Sequence, residues 1–239
     1  AEKNNLLLNE SKTKCVLFRA PSTCLEMPET IIIGPYIINR ETSVKTLGVI
    51  FSEHMLWNDH VDHLCSKARK VVGILNRNRH LFPAKIKQLF CNSLFHSVLS
   101  YCALVWGNTS AHNLNKLILL QKKAVRAIES VPFNEHTKPL FYKYKIMKAD
   151  SIYKYKLIKS YNAAMQGNLD TFLSLANLHK QEYIYPHRHK LPWKVPVTRT
   201  GYGRQRVEYT LPHTLNDFAK QDIFTTKLNK RDIEQLFIN

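Results

Sequence analysis

The chain has 239 residues, of which 44% are hydrophobic, so it is long enough for one or two domains with apolar cores and too apolar for general disorder. Its 35 Lys and Arg side chains outnumber its 18 Asp and Glu side chains, and residues 51–239 hold 29 of the basic and 13 of the acidic ones. An excess of this size predicts a polyanionic partner.

No basic amphipathic helix with an aromatic-rich apolar face stands out, so we expect nucleic acid rather than a membrane surface as that partner. No apolar run approaches twenty residues and there is no N-terminal signal pattern, which predicts no membrane span. The five cysteines include no Cys-x-x-Cys pair; free thiols in apolar segments are typical of an intracellular protein. The chain starts with Ala and opens within a pattern, which favours a truncated start.

Residues 1–56 are predicted to form β structure. Residues 14–18 and 44–51 have the composition of strands, and the isoleucine-rich runs at 30–33 and 36–38 flank Gly34-Pro35, which predicts a hairpin. These strands are too few to bury a core by themselves. We therefore expect them to depend on a larger sheet or on the helices that follow.

From Asn58 onward, apolar residues recur every three or four positions, which predicts three amphipathic helices. In the first helix, the residues predicted to face inward are Val61, Leu64, Cys65, Ala68, Val71 or Val72, and Leu75. The second opens at Pro83 and ends at Gly107. Its apolar stripe is Ile86, Leu89, Phe90, Ser93, Leu94, Ser97, Val98 and Tyr101. In the third helix, the residues predicted to face inward are Leu114, Leu117, Ile118, Gln121, Ala124, Val125 and Ile128. Short links between them predict a compact antiparallel bundle over residues 57–131.

Residues 132–239 are predicted to form a basic tail of helices and loops. Residues 137–166 return to a helical pattern with Asp150 as N-cap, residues 187–206 form an extended loop, and residues 224–237 form a closing helix. The predicted fold class is therefore mainly α with a small N-terminal β region, in which a thumb-like antiparallel helical bundle precedes a mixed or helical tail. The predicted divisions are residues 1–56, 57–131 and 132–239.

Several short motifs follow one another in a recognisable order. They are Asn9 with Lys12-Thr13, Leu47-Gly48, Trp57-x-x-His60, Tyr101 with Val105-Trp106-Gly107, Leu120-Gln121-Lys122 with Arg126, and Thr198-Arg199 with Tyr209, Pro212 and Leu215-Asn216. This order resembles the region downstream of the catalytic carboxylates in reverse transcriptases of LINE-type (non-LTR) retrotransposons. Two positions depart from the family pattern: Cys102 stands where it has Gly, and Leu215 where it has Trp.

The resemblance implies that this chain is the primer grip, thumb and tail of such a polymerase. It gives Lys12 a position near the incoming nucleotide and makes Leu47 and Gly48 part of the primer grip. No Asp-Asp pair occurs in the sequence, so we expect the catalytic carboxylates and their Mg²⁺ in an upstream palm and fingers segment. We assign no catalytic residue, metal site or cofactor to this chain, and we expect no activity from it alone.

The predicted partner is an RNA–DNA hybrid or another nucleic acid, held by basic side chains on the helices and in the tail. The candidate residues are Lys67, Lys70, Arg77, Lys122, Lys123, Arg126, Lys143, Lys145, Lys154, Lys156, Arg199, Arg204 and Arg206. For each the alternative is a solvated charge. The repeated Tyr-Lys-Tyr-Lys at 142–145 and 153–156 could place lysines on phosphates and tyrosines on bases, or could bury the tyrosines in a core.

Two further groups of residues have packing as the expected role. Asp59, His60, His63 and Cys65 lie close in sequence but lack zinc-finger spacing. This favours Asp59 as an N-terminal helix charge and His60 as a packed or capping residue over a metal site. Trp57 and Trp106 are expected to pack in a core or corner rather than to stack on bases.

The function indicated by the sequence is a fragment of an RNA-directed DNA polymerase that grips the template–primer duplex. The alternatives are a non-catalytic nucleic-acid-binding remnant and a helical protein-interaction module with a basic surface that meets an acidic partner.

Overall fold

The structure, a computed structural model, describes residues 9, 12–23, 28–167, 170–183, 191–223 and 228–238. The chain divides into two compact units, residues 1–63 and 64–239. Helices dominate and two small antiparallel sheets precede them, which confirms the predicted mainly α class with an N-terminal β region. The divisions at residues 56 and 131 stay predictions. Cys24 and the beginnings of the predicted 187–206 loop and 224–237 helix lie outside the described residues.

The described residues of the first unit form two hairpins. Strands β1 (Thr30–Ile33) and β2 (Tyr36–Asn39) pair antiparallel, as do β3 (Ser43–Thr46) and β4 (Val49–Ser52). The predicted hairpin around Gly34-Pro35 is thus confirmed, and the predicted 44–51 run is a second hairpin. The predicted strand at 14–18 was wrong: this segment makes an isolated bridge between Cys15 and Arg40.

The turn between β3 and β4 consists of Leu47 and Gly48. Both have positive φ angles, 48° and 83°, as two-residue hairpins require when they follow the right-handed twist of the strands. Glycine accepts this conformation freely, whereas Leu47 carries a cost of about 1 kcal/mol. Leu47 is also 83% exposed, so its side chain projects from the hairpin tip instead of packing.

Trp57 and His60 contact strand β4 of the first unit. The Trp57 ring packs edge-on against Phe51 with 5.7 Å between ring centroids. The buried His60 ring accepts a hydrogen bond at Nδ1 from the backbone N–H of Ile50, at 3.3 Å. The predicted packing roles of both residues are confirmed.

Helix α1 (Asn58–Arg77) buries the face that its sequence predicts, including Val61, Leu64 and Leu75. The prediction of one continuous second helix was wrong. It is divided into α2 (Ala84–Phe90), a π-helical segment (Cys91–His96), α3 (Ser97–Ser100) and α4 (Ala103–Trp106). Between the last two, Cys102 adopts a left-handed conformation with φ 47°, which ends one helix and redirects the next.

The predicted apolar stripe of this region was also wrong. Its members are exposed or, for Val98, half-buried, whereas the buried residues are Lys87, Cys91, Phe95 and Leu99. The two sets lie on different sides of the same segment. Burial raises the pKa of the Cys91 thiol to about 12, so this cysteine is a core residue and not a reactive one.

Helix α5 (Ala111–Glu129) is the central element of the second unit and packs against α2, α6 (Lys138–Lys143) and α7 (Ala149–Met165). The Ser110 Oγ caps its N-terminus by accepting from the Asn113 N–H at 3.3 Å. Its buried face includes the predicted Leu117, Gln121 and Ile128.

The predicted helix at 137–166 is thus two helices, α6 and α7. Lys148, not Asp150, stands at the N-cap of α7, and Asp150 lies within its first turn. There its carboxylate faces the positive end of the helix dipole without capping an N–H.

The C-terminal core forms between α7, α8 (Asp170–Ala176), α10 (Val207–Ala219) and α11 (Lys230–Ile238). Its buried members are Tyr153, Leu157, Ile158, Tyr161, Ala176, Leu211, Leu215 and Ile233. The predicted closing helix is therefore present as α11. The predicted 187–206 loop was wrong at its end, where α9 (Gly201–Gln205) begins after the Thr200 cap. In the described part of the chain, no helix combines the length and the apolar character needed to cross a membrane.

Candidate nucleic-acid interface

A cavity of about 420 Å³ lies in the second unit, where the turn after α1 meets the end of α5. We call it the basic pocket. The residues that line it and carry its chemistry are Asn76, Arg79, Lys123, Arg126, Ser130 and Phe133. Lys123 and Arg126 are three residues apart on α5 and so share one helical face. Three cationic side chains therefore converge on one cavity.

A buried lysine holds two residues of the basic pocket, Arg79 and Ser130, together. Lys87 is 3% exposed, and its Nζ donates to the Arg79 carbonyl at 3.0 Å and to the Ser130 Oγ at 2.7 Å. The Ser130 hydroxyl donates in turn to the same Arg79 carbonyl, at 3.0 Å. Burial lowers the pKa of Lys87, the nearby Glu129 carboxylate opposes this, and the Arg79 charge adds to it. These bonds tie α2, the turn after α1 and the end of α5 together.

Two of the cationic side chains that line the basic pocket have no counter-ion among the residues that the structure describes. Among the described residues, neither the Arg79 guanidinium nor the Lys123 ammonium group makes an ion pair or a hydrogen bond. The nearby Glu129 carboxylate is already engaged by Lys143 at 2.8 Å and by the Tyr144 hydroxyl, and these hydrogen bonds lower its pKa. The basic pocket therefore presents net positive charge to the solvent.

Arg126 is held in a fixed position. Its Nε donates to the Glu135 carbonyl at 2.9 Å, and its guanidinium lies 5.4 Å from the centroid of the Phe133 ring. The hydrogen bond and the cation–π contact order a side chain that would otherwise sample many rotamers.

The structure thus brings together Lys123 and Arg126 from the predicted set. It adds four residues that the sequence reasoning missed: Asn76, Arg79, Ser130 and Phe133. The run of Asn and Arg at 76–79, directly after a predicted helix, was the available signal for the first two. Nothing in the sequence indicated that Phe133 would be exposed, because an isolated Phe between helices usually packs inward.

The other predicted lysines and arginines of the helices lie elsewhere. Lys67, Lys70 and Arg77 are exposed along α1, Lys122 is half-buried on α5, and Lys154 is exposed and Lys156 half-buried on α7. Lys143 and Lys145 line a separate cavity of about 370 Å³ with Tyr142. Lys143 is neutralised there by Glu129.

The predicted tail arginines are not among the residues that line the basic pocket. Arg199 and Arg204 are exposed, and Arg206 forms an ion pair with Glu208 at 2.8 Å. Lys12 is exposed in the first unit, as are Leu47 and Gly48 at the hairpin tip.

The two Tyr-Lys-Tyr-Lys repeats have different environments. Tyr144 and Tyr153 are buried, as is the neighbouring Tyr161, so these rings pack in the core and cannot stack on bases in this structure. The Tyr153 hydroxyl is hydrogen-bonded to the Thr210 Oγ1 at 2.8 Å, which links α7 to α10. Tyr142, by contrast, is 66% exposed.

Several motif residues behind the family resemblance have packing roles. The Gln121 side chain donates to the Met147 carbonyl at 3.0 Å and accepts from the Ala149 N–H at 2.8 Å, so it joins α5 to the start of α7. The Asn216 amide makes two hydrogen bonds to the backbone of Trp193, at 2.8 and 3.0 Å.

Position 107 requires a glycine because neighbouring atoms leave no room for a side chain there. A Cβ at this position would lie 2.4 Å from the Ala103 carbonyl oxygen and 3.1 Å from the Tyr153 Cβ. Before it, the buried Trp106 donates from Nε1 to the Tyr101 carbonyl at 2.9 Å, which confirms the predicted packing role of this tryptophan.

The described residues contain no group of three His, Cys, Asp or Glu side chains that could hold a metal ion. Comparisons with protein-family models, curated proteins and solved structures find no match to this chain.

Proposed function

We propose that this chain binds nucleic acid as the primer-grip and thumb portion of a LINE-type reverse transcriptase, and that the basic pocket contacts the phosphate backbone of the RNA–DNA hybrid. The observation that carries the proposal is that Arg79, Lys123 and Arg126 line one cavity, and that no described carboxylate neutralises Arg79 or Lys123. The order of the sequence motifs supports the choice of polymerase family.

Like charges that line one cavity repel one another, and the hydrogen bonds of the buried Lys87 hold the Arg79 backbone beside Ser130 at the end of α5 despite this repulsion. A merely solvated basic face spreads its charges apart, because separation lowers their repulsion. A phosphate group relieves the repulsion, and its binding releases counterions from the nucleic acid. Arginine and lysine side chains on phosphates hold a duplex without reading its sequence, as a polymerase requires.

The first unit contributes the tip of the β3–β4 hairpin. Leu47 is exposed there in a strained left-handed conformation, and strain of this kind is concentrated at functional sites. In the proposed enzyme this tip contacts the primer strand and Lys12 lies near the incoming nucleotide. The chemistry itself belongs to upstream carboxylates and their Mg²⁺ ions. The described residues of this chain offer no acidic cluster for such ions, and we derive no catalytic step from them.

The proposal is tested by the affinity of the chain for a labelled RNA–DNA hybrid over a series of salt concentrations. Lys123→Glu is expected to lower the affinity by about tenfold for every hybrid sequence and to reduce the slope of log K against log salt by about 1. The matched control is Lys85→Glu on α2, an exposed lysine outside the basic pocket. An acidic residue in the first turn is compatible with the helix dipole, so this control retains its fold.

Equal losses in Lys123→Glu and Lys85→Glu would show that only the total charge matters and would remove the basic pocket from the proposal. A folded wild-type chain that binds neither hybrid nor any other nucleic acid would refute the proposal as a whole. Circular dichroism of each protein confirms that the fold is retained.

A further inference from the structure

The basic pocket contains an aromatic ring as well as cations. Phe133 is 78% exposed, although it is a large apolar side chain. The Arg126 guanidinium lies over the ring at 5.4 Å from its centroid. A side chain this exposed gains little free energy from hydrophobic burial, so packing in the core does not explain why a Phe stands here.

This combination of groups exceeds what a duplex grip needs. In a duplex the bases stack on one another and present only their edges in the grooves, so cations alone suffice to hold the phosphates. Single-stranded nucleic acids are bound differently: their unpaired bases stack on aromatic rings or guanidinium planes while basic side chains follow the backbone. A Phe ring beside Arg79 and Lys123 supplies both kinds of contact within one cavity.

The size of the cavity is consistent with a single nucleotide. Its volume is about 420 Å³, which lies in the lower part of the range of small-molecule pockets. A run of several stacked bases needs an extended groove rather than a cavity of this size.

We propose that the basic pocket binds one unpaired nucleotide of a single-stranded extension of the hybrid, with the base stacked on Phe133 and the phosphate held by Arg79 and Lys123. Arg126 orients the ring and adds its charge. This inference rests on the proposed function, because it assumes that a hybrid is bound. It goes further in naming the single-stranded junction as the preferred substrate.

The test compares a blunt RNA–DNA hybrid with the same hybrid that has a short single-stranded extension. The wild-type chain is expected to bind the extended hybrid more tightly. Phe133→Leu, which retains an apolar side chain but removes the ring, is expected to lower the affinity for the extended hybrid by about tenfold. Its affinity for the blunt hybrid is expected to fall much less, because that hybrid has no unpaired base to stack on the ring. Phe133→Trp is expected to retain the preference for the extended hybrid, since a Trp ring also stacks on bases.

The matched control is Phe18→Leu, which removes another exposed aromatic ring, in the first unit. Wild-type affinity that is equal for the blunt and extended hybrids, with no change in Phe133→Leu, would overturn the single-nucleotide site but leave the proposed function intact. Equal losses in Phe133→Leu and Phe18→Leu would also overturn it. Absence of binding to both hybrids would instead refute the proposed function.

Discussion

The two Tyr-Lys-Tyr-Lys repeats allow one substitution to be made in two environments. Tyr153 is 5% exposed and its hydroxyl is hydrogen-bonded to the Thr210 Oγ1 at 2.8 Å, whereas Tyr142 is 66% exposed. We expect Tyr153→Phe to destabilise the protein and Tyr142→Phe to have no measurable effect. The substitution removes one oxygen atom in each case and retains the ring, so packing is almost unchanged.

The magnitude follows from the hydrogen bond that is lost. A buried bond between two neutral hydroxyl groups contributes about 1 kcal/mol to the free energy of unfolding, and the hydroxyl of Thr210 that is left behind adds to the cost. For a chain of this size, about 1 kcal/mol corresponds to a fall in Tm of about 2–4 °C. Tyr142→Phe removes a hydroxyl that water solvates, and the expected change in Tm is close to zero.

Thermal unfolding followed by circular dichroism measures both variants against the wild type. The hybrid affinity at low salt is measured beside it and is expected to be unchanged in Tyr153→Phe, because this ring lies in the core. A fall in Tm of the same size in both variants would refute the assignment of different environments. Loss of hybrid affinity in Tyr153→Phe at unchanged Tm would restore a direct role in binding for this tyrosine.

Three other perturbations test the packing of the second unit. The pKa of Lys87 is lower in the folded chain than in the unfolded chain, so the free energy of unfolding should rise with pH on approaching about 10.4; denaturant titrations should show a weaker rise in Lys87→Met. Burial lowers the pKa of His96, Lys156 adds to this and Glu234 opposes it, so stability should fall as pH drops below about 6.5. His96→Asn should lose less stability over that range, and an identical acid profile would contradict the assignment. Gly107→Ala should cost about 1–3 kcal/mol in urea unfolding, because its Cβ would meet the Ala103 carbonyl at 2.4 Å; an unchanged midpoint would argue against that close approach.

Helices α1 and α5 and the first hairpin could be predicted because the apolar pattern of each is consistent with only one secondary structure and one buried face. Along α1 and α5 most apolar residues lie on one face, and the residues predicted to face inward are buried or half-buried, whereas Ile74 and Leu119 are exposed. The isoleucine runs around Gly34-Pro35 likewise gave the correct hairpin. In each case local propensity and tertiary packing agree, so the sequence pattern suffices.

The region from α2 to α4 could not be predicted in the same way, because it has apolar residues on two sides. One side contains Ile86, Leu89 and Leu94, and the other contains Cys91, Phe95 and Leu99. The second side also includes Lys87, which makes it look more polar in sequence than the first. Lys87 is nevertheless buried, because the Arg79 carbonyl and Ser130 hydroxyl accept its hydrogen bonds, and only the folded chain supplies those acceptors.

The sequence by itself determined the helical class, the N-terminal hairpin, the strong basic charge and the motif order behind the family resemblance. Those properties depend on composition and on spacing between near neighbours. The tertiary structure decided which charges act together: Arg79 lies 44 positions before Lys123 in the chain, and Phe133 lies beyond a helix end. They meet because α1 and α5 end at the same place, and contacts between residues so far apart in sequence are fixed by packing and not by local pattern.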